Sequence, residues 1–329
     1  MLIVLKFGGS SLAGPEAVGR SAEIIAREVR RGAMVAAVLS AQGNATDELL
    51  SAAGLYSPSP PPRELDMLLS TGEQASVALM AMALGERGVA ATSLTGWQAG
   101  METDAAFGAA RIRRVDPVRV RRELELGRVA LVAGFQGVTR SGDITTLGRG
   151  GSDTTAVALA AALGADECRI YTDVEGVCTA DPRLVSAARR LDRVDSEEMR
   201  RLAAAGAQVL HPRSAELADR FRVPLRVLSS LKEGPGTVVA PVPLPPGEGR
   251  LTAAACQGSL VTVVGSDLRA LPFSVGRRAA EALESAGIPV EGSLETDGYL
   301  AVKVPPDRTA DALRCLHRAF FEKDAPAEI

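Results

Sequence analysis

The residues best suited to chemistry lie in one stretch, Thr145–Arg183, which reads TTLGRGGSDTTAVALAAALGADECRIYTDVEGVCTADPR. Its turn Gly148-Arg149-Gly150-Gly151 carries so little side chain that the backbone can approach a ligand closely. Ser152 and Asp153 stand where a helix N-cap belongs, ahead of an Ala/Leu-rich helix over Thr154–Leu163. The N-terminus of such a helix presents unpaired N–H groups and a partial positive charge, a setting for phosphate or carboxylate. A strand over Cys168–Thr172 then ends in Asp173, and a polar loop begins where open α/β sheets bind ligands. The turn has neither the G-x-x-x-x-G-K-[ST] spacing of a P-loop nor the third glycine of a dinucleotide fingerprint. Taken alone, it also reads as a purely structural helix entry.

A lysine supplies the second chemical signal. Of 37 basic residues only Lys6, Lys232, Lys303 and Lys323 are lysines, so none accompanies Lys6 before residue 232. It ends an apolar strand and precedes Gly8-Gly9. An arginine-biased chain that keeps lysine there points to a need for the compact ammonium itself.

Composition bounds the rest. The 329 residues, 46% hydrophobic and 23% charged, suit a soluble globular protein of two domains. A net charge of -3 and 3% aromatics give no case for a nucleic-acid or membrane-surface partner. Four scattered cysteines without a C-x-x-C pair, and two histidines, argue against a metal site built by the protein. With neither a signal-like start nor an uninterrupted apolar run able to span a bilayer, the expected location is the cytoplasm.

Several elements must position these residues. Leu2–Phe7 and Met34–Leu39 read as buried strands around a helix over Glu16–Arg30, and the second ends in Ser40-Ala41-Gln42-Gly43. Ala52–Pro62 reads as an irregular proline-rich excursion and Leu65–Arg87 as one long helix that contains Gly72-Glu73. Val89–Leu94 and Val129–Ala133 are further strands, followed by two helices and a strand over Ser196–Leu228. The alternation predicts a mostly parallel sheet covered on both faces. A proline/glycine linker at 233–250 separates it from strand–helix–strand–strand–helix over 251–322, with Leu251–Cys256 as a spare strand in front and a tail at 323–329.

Taken in order, these turns resemble the aspartate kinases of the amino acid kinase superfamily. The matching segments are Lys6-Phe7-Gly8-Gly9-Ser10-Ser11, Ser40-Ala41, Leu69-Ser70-Thr71-Gly72-Glu73, Gly134-Phe135-Gln136-Gly137, Thr145–Thr155, and Tyr171-Thr172-Asp173-Val174 leading to Thr179-Ala180-Asp181-Pro182-Arg183. The resemblance implies a three-layer α/β catalytic domain over 1–232 and a small α+β, ferredoxin-like ACT domain over 251–322. It implies ATP- and Mg2+-dependent phosphorylation of the β-carboxylate of L-aspartate. Lys6 and Asp153 take the catalytic roles; Ser40, Glu73, Arg149, Gly150, Gly151 and Ser152 face aspartate. Lys6, Phe7, Gly8, Gly9, Thr172, Asp173, Cys178, Asp181, Pro182, Arg183 and Gln208 face the nucleotide. The alternatives are another amino acid kinase with a different carboxylate substrate, or a silent regulatory partner of a longer kinase.

The chain departs from the pattern in places. Cys178 stands where the family has tyrosine and Gln208 where many members have lysine, both beside the nucleotide. The family carries two ACT domains and this chain has room for one, so Leu251–Cys256 is expected to fill the place of the missing last strand. Phe273 and Pro289 replace the glycine and asparagine of the effector signature, and Pro289 offers neither an amide side chain nor an N–H. Feedback by lysine or threonine is therefore expected to be reduced, with the ACT domain serving homodimerisation.

Overall fold

The computed structural model describes residues 1–207, 209–242, 244–245 and 247–322; the expected tail and Gln208 lie outside them. The chain forms two compact units, Met1–Glu175 with Glu216–Pro235, and Gly176–Ala215 with Gly236 onward. This division differs from the boundary expected at residue 232. Ala180 and Val185 lie in the same apolar core as Val261, Leu313 and Leu316, which draws Gly176–Ala215 into the C-terminal unit.

In the first unit six strands pair in parallel. Their order is Leu225–Ser229, Glu167–Thr172, Leu2–Phe7, Met34–Leu39, Val129–Ala133, Ala91–Leu94. Side chains alternate across a strand, so Ile3, Leu5 and Phe7 share one face of the first strand. They pack with Val18, Ala22 and Ile25 of the helix Pro15–Arg30 and Val77, Met80 and Leu84 of the helix Thr71–Gly85. Phe7 also stacks on Tyr171 at 4.9 Å. Val4 and Lys6 face the other side, against the helix Gly151–Leu163. Burial on both faces explains why these strands are continuous apolar runs.

Two helical assignments change. Ala52–Tyr56 is helical, as the end of the helix Ala45–Tyr56, so the irregular segment shrinks to the residues after Tyr56. The expected helix Leu65–Arg87 is two helices, Pro62–Leu69 and Thr71–Gly85, divided at Ser70. At the break the Ser70 hydroxyl donates to the Met67 carbonyl (2.8 Å) and the Thr71 hydroxyl to the Leu68 carbonyl (2.7 Å), side-chain bonds that compete with the helical ladder. The Ser70 carbonyl also accepts from Gln136 Nε2 at 2.8 Å. By length and composition Pro62–Gly85 would suffice to cross a bilayer, but one face of it, Val77, Met80 and Leu84, packs in the core of the first unit.

A second, four-stranded sheet of short strands was not visible in the sequence. Its order is Ile112–Val115, Met101–Thr103, Gln136–Val138, Ile144–Thr146. Asp66, 1% exposed, anchors it. Its carboxylate accepts from the Thr146 N–H (2.8 Å), the Thr146 hydroxyl (2.7 Å) and the Gly108 N–H (2.9 Å). Thr146 leads into the glycine turn, so Asp66 fixes the approach to that turn.

The second unit contains an antiparallel sheet in the order Arg250–Gln257, Leu260–Ser266, Tyr299–Lys303, Gly292–Glu295, with the helices Val275–Ser285 and Thr309–Phe321. The strand containing Leu251–Cys256 pairs with Leu260–Ser266 and forms one edge. It thus stands beside the first strand of the strand–helix–strand–strand–helix unit, where a closing strand belongs.

Asp66→Ala removes the acceptor of the buried Thr146 N–H and hydroxyl and of the Gly108 N–H, which costs about 3 kcal/mol. Urea unfolding followed by the fluorescence of Trp97, the single tryptophan, should register that loss; a change below about 1 kcal/mol would contradict the anchoring role.

Candidate active site

Four neighbouring strands end at one edge of the first unit's sheet, each followed by a residue that the sequence singles out. Gly8 follows Phe7, Ser40 follows Leu39, Gly134 follows Ala133 and Asp173 follows Thr172. The loops are tied together: the Ser40 N–H donates to the Phe7 carbonyl (3.1 Å), Gly134 to Leu39 (3.0 Å), Gly8 to Tyr171 (3.3 Å) and Gly43 to Gly9 (3.0 Å). The carboxyl edge of a parallel sheet is where ligands bind in open α/β folds.

Lys6 Nζ lies 2.7 Å from Oδ1 of Asp153, with the two side chains 12% and 13% exposed. Removal from most water strengthens their attraction. A Cβ on Gly8 would come within 3.3 Å of Lys6 Nζ, so glycine there keeps one side of the ammonium clear. Gly9 is packed as tightly: its Cβ would meet the Ala41 and Gly43 carbonyls at 3.1 and 3.2 Å.

The glycine turn runs through left-handed backbone, φ 74° at Gly148 and 69° at Gly150. The N-cap of the helix Gly151–Leu163 is Gly150, with no capping side chain, and not Ser152 or Asp153 as expected. Both lie in the first turn, where Asp153 is drawn to Lys6 instead. Ser152 is buried over Gly134, at which a Cβ would sit 2.8 Å from Ser152 Oγ. Gly151 packs on the Phe135 ring, 2.7 Å from where its Cβ would be. Phe135 is itself left-handed, φ 68°, and held at both ends: its N–H donates to Thr155 Oγ1 (3.1 Å) and its carbonyl accepts from Leu147 (2.8 Å). A non-glycine residue in this conformation is strained and persists because its surroundings fix it. Arg149 projects from the turn, exposed and without a hydrogen bond or ion pair among the described residues.

Glu73 occupies the first turn of the helix that Ser70 starts afresh, and is 3% exposed. One carboxylate oxygen accepts from the Ala41 N–H at 3.1 Å; the other is buried with no partner among the described residues. Burial pushes its pKa from 4.5 to about 7, against the N–H groups of Ala41 and of Glu73 itself, which lower it. An unpartnered buried carboxylate oxygen is costly in isolation and is open to a hydrogen-bond donor. The break at Ser70, which the sequence reading did not foresee, places Glu73 in a first turn.

At the next strand end the Thr172 hydroxyl donates to Asp173 at 3.0 Å, with Asp173 exposed. Cys178, Asp181, Pro182 and Arg183 belong to the second unit. Cys178 is half-buried and bridges to Arg190. Asp181 and Arg183 pair side by side, Oδ2 to Nη2 at 2.7 Å and Oδ1 to Nε at 3.0 Å, and the guanidinium holds that carboxyl below its usual range. Among the described residues no three His, Cys, Asp or Glu side chains converge on a metal-sized point. A cavity of about 390 Å³ beside the helix Pro15–Arg30, lined in part by Arg20, Arg27, Ser230 and Lys232, contains none of the residues the sequence assigns to the site.

The amino acid kinase family profile matches residues 1–229. The chain belongs to the amino acid kinase family. An aspartokinase of Geobacillus stearothermophilus is 55% identical over 238 residues, which cover 72% of this chain and 58% of that protein. The chain thus spans less than two thirds of the length of that curated relative. Among solved structures, an aspartate kinase from Synechocystis is 36% identical with a TM-score of 0.68, over 100% of this chain and 57% of that one. E. coli aspartokinase III in complex with aspartate and ADP aligns over 98% of this chain and 100% of that one, TM-score 0.83, at 24% identity, a likeness of fold. This amino acid kinase therefore carries the three-layer fold that the sequence implies.

The raised pKa of Glu73 has a sign. Its contribution to stability is complete below about pH 4.5, where folded and unfolded chains both hold the proton, and is lost as the pH rises through about 7. Glu73→Gln should therefore stabilise the protein at pH 8, by about 3 kcal/mol at most. Urea unfolding at pH 5 and at pH 8, followed at Trp97, checks it: a variant no more stable at the higher pH would refute the assignment.

Proposed function

We propose that this chain transfers the γ-phosphoryl group of ATP to the β-carboxylate of L-aspartate, giving 4-phospho-L-aspartate. The observation that carries the reading is the Lys6–Asp153 pair at 2.7 Å, set between Gly8 and the glycine turn. The identity to aspartokinases supports the choice of acceptor, as does the fold shared with an aspartokinase that binds aspartate and ADP.

Each residue has a role that its surroundings suit. Lys6 and the backbone of Gly8 and Gly9 hold the oxygens of the phosphoryl group in transit, which needs positioning and neutralisation more than covalent help. Asp153 holds Lys6 in place. Glu73 takes the α-ammonium of aspartate on its open oxygen, and the exposed Arg149, unpaired among the described residues, takes a carboxylate with its fork. Ser40 and Ser152 add hydroxyls and Gly150 and Gly151 close backbone. The β-carboxylate is ionised near neutrality, so no general base is required. Its oxygen bonds to the γ-phosphorus as the bond to the β,γ-bridging oxygen breaks, and ADP leaves. Mg2+ would arrive with the nucleotide, ligated by phosphate oxygens and water, and neutralise their charge.

Phe7, Thr172, Asp173, Cys178, Asp181, Pro182, Arg183 and Gln208 are proposed as nucleotide contacts on the sequence likeness. We assign the C-terminal sheet to self-association; its edge strand Gly292–Glu295 is exposed at all four residues and pairs on one side with Tyr299–Lys303. The exposed Pro289 lacks what an amino-acid effector would need, which supports weak feedback.

ATP, Mg2+ and aspartate, with hydroxylamine to trap the acyl phosphate, should give the hydroxamate, and glutamate in place of aspartate should give little. Lys6→Ala should lower kcat by at least about 10³-fold with the fold intact. No hydroxamate from wild type, or turnover unchanged in the variant, would overturn the reading. Millimolar lysine and threonine, alone or together, should inhibit by less than about twofold, and strong inhibition would restore effector binding.

A further inference from the structure

The segment Thr179-Ala180-Asp181-Pro182-Arg183 is fastened at its first residue. The Thr179 hydroxyl lies 2.9 Å from Nε2 of His317, whose ring has no exposed surface, and Nδ1 of that ring lies 3.0 Å from Oε1 of Glu322. The same hydroxyl oxygen accepts from the Arg189 N–H at 3.0 Å, and the Thr179 carbonyl accepts from the Ala254 N–H at 2.8 Å. Arg189 Nη2 donates to the Phe321 carbonyl at 2.6 Å. Ala180 and Val185 sit in the apolar core of the C-terminal sheet and helices. The loop is thus attached to the helix Thr309–Phe321 through side-chain chemistry and to the strand Arg250–Gln257 through the backbone.

The ring is matched to its neighbours. A neutral imidazole has one donor and one acceptor. An ionised carboxylate only accepts, so Nδ1 donates to Glu322 and Nε2 accepts from the Thr179 hydroxyl. An apolar side chain would fill this core at no desolvation cost, whereas a buried ring with both nitrogens engaged fixes the direction of what it touches.

We propose that His317 is a positioning residue for the nucleotide: it orients Thr179, and with it the backbone two residues before Asp181, so that the C-terminal helix sets nucleotide affinity. This rests on the reading of Asp181 to Arg183 as nucleotide contacts. A purely structural His317 would lower stability and disturb both substrates alike; a positioning His317 separates them, because Glu73 and Arg149 lie in the other unit.

The test uses the full chain, with AMP-PNP and Mg2+ in calorimetry and steady-state constants from the hydroxamate assay. His317→Phe keeps the ring and removes both hydrogen bonds. It should weaken AMP-PNP binding about tenfold and raise the KM for ATP by the same factor, with kcat and the KM for aspartate within about twofold. His317→Gln, which returns an amide near Nε2, should recover most of the loss. Thr179→Val should match His317→Phe, and the double variant should be no worse than either. AMP-PNP bound as tightly by His317→Phe as by wild type overturns the proposal, as do both KM values rising together with a falling Tm. Should His317→Phe not fold, Glu322→Ala, at a side chain one-third exposed, is expected to weaken AMP-PNP about threefold, and no change there overturns it equally. Wild type that binds no AMP-PNP defeats the nucleotide-loop reading and this inference with it. Wild type that binds AMP-PNP without phosphorylating aspartate defeats only the choice of acceptor.

Discussion

The rest of the first unit is organised around two charges brought together out of most of the water, the Lys6 ammonium and the Asp153 carboxylate. Neither tolerates partial burial alone: desolvating a single ion costs several kcal/mol, and the mutual attraction offsets that only when the geometry is right. The geometry is set from both ends. Lys6 sits on a central strand with parallel partners on each side, and Asp153 in the first turn of the helix lying across that strand. The close glycines follow from the same demand, since a side chain at Gly8, Gly134 or Gly151 would press on Lys6, Ser152 or Phe135.

Glu73 represents the opposite arrangement, a charge that the folded chain leaves unmatched. Its second oxygen is buried without a partner among the described residues and burial raises its pKa to about 7, so part of the stability available to the fold is held back at neutral pH. Such groups cluster where a ligand completes them. The fold bears the cost through small local devices: the hydroxyls of Ser70 and Thr71 take the Met67 and Leu68 carbonyls, the helix restarts at Thr71, and Glu73 gains the positive end of a helix and the Ala41 N–H. In the proposed reaction, phosphate chemistry and recognition of an ammonium fall to different loops of one sheet edge.

The second unit carries a different logic. Its antiparallel sheet follows the order expected when an early strand closes a strand–helix–strand–strand–helix unit. The segment that resembles a nucleotide loop shares that unit's core and its hydrogen bonds. Packed elements have discrete arrangements and do not deform continuously, so a loop built into such a core takes its conformation from it.

Local chemistry was legible in the sequence wherever it depends on residue type at short range. Continuous apolar runs marked the parallel strands, glycine pairs marked the close turns, and the isolated Lys6 marked the site because an arginine-rich chain spared it. Ser152 and Asp153 at the head of a helix were also readable, though their roles were not: capping fell to the left-handed Gly150, since Asp153 was committed to a lysine from the first strand. What only the tertiary structure decided were the contacts between residues far apart in the chain. The anchoring of Thr146 by Asp66, the bond from Ala41 to Glu73 and the joining of Thr179 to His317 each depend on a partner from another element. Propensity and periodicity describe how a segment prefers to curl, whereas satisfying a buried polar group depends on what happens to lie within about 3 Å of it, which the folded chain alone determines.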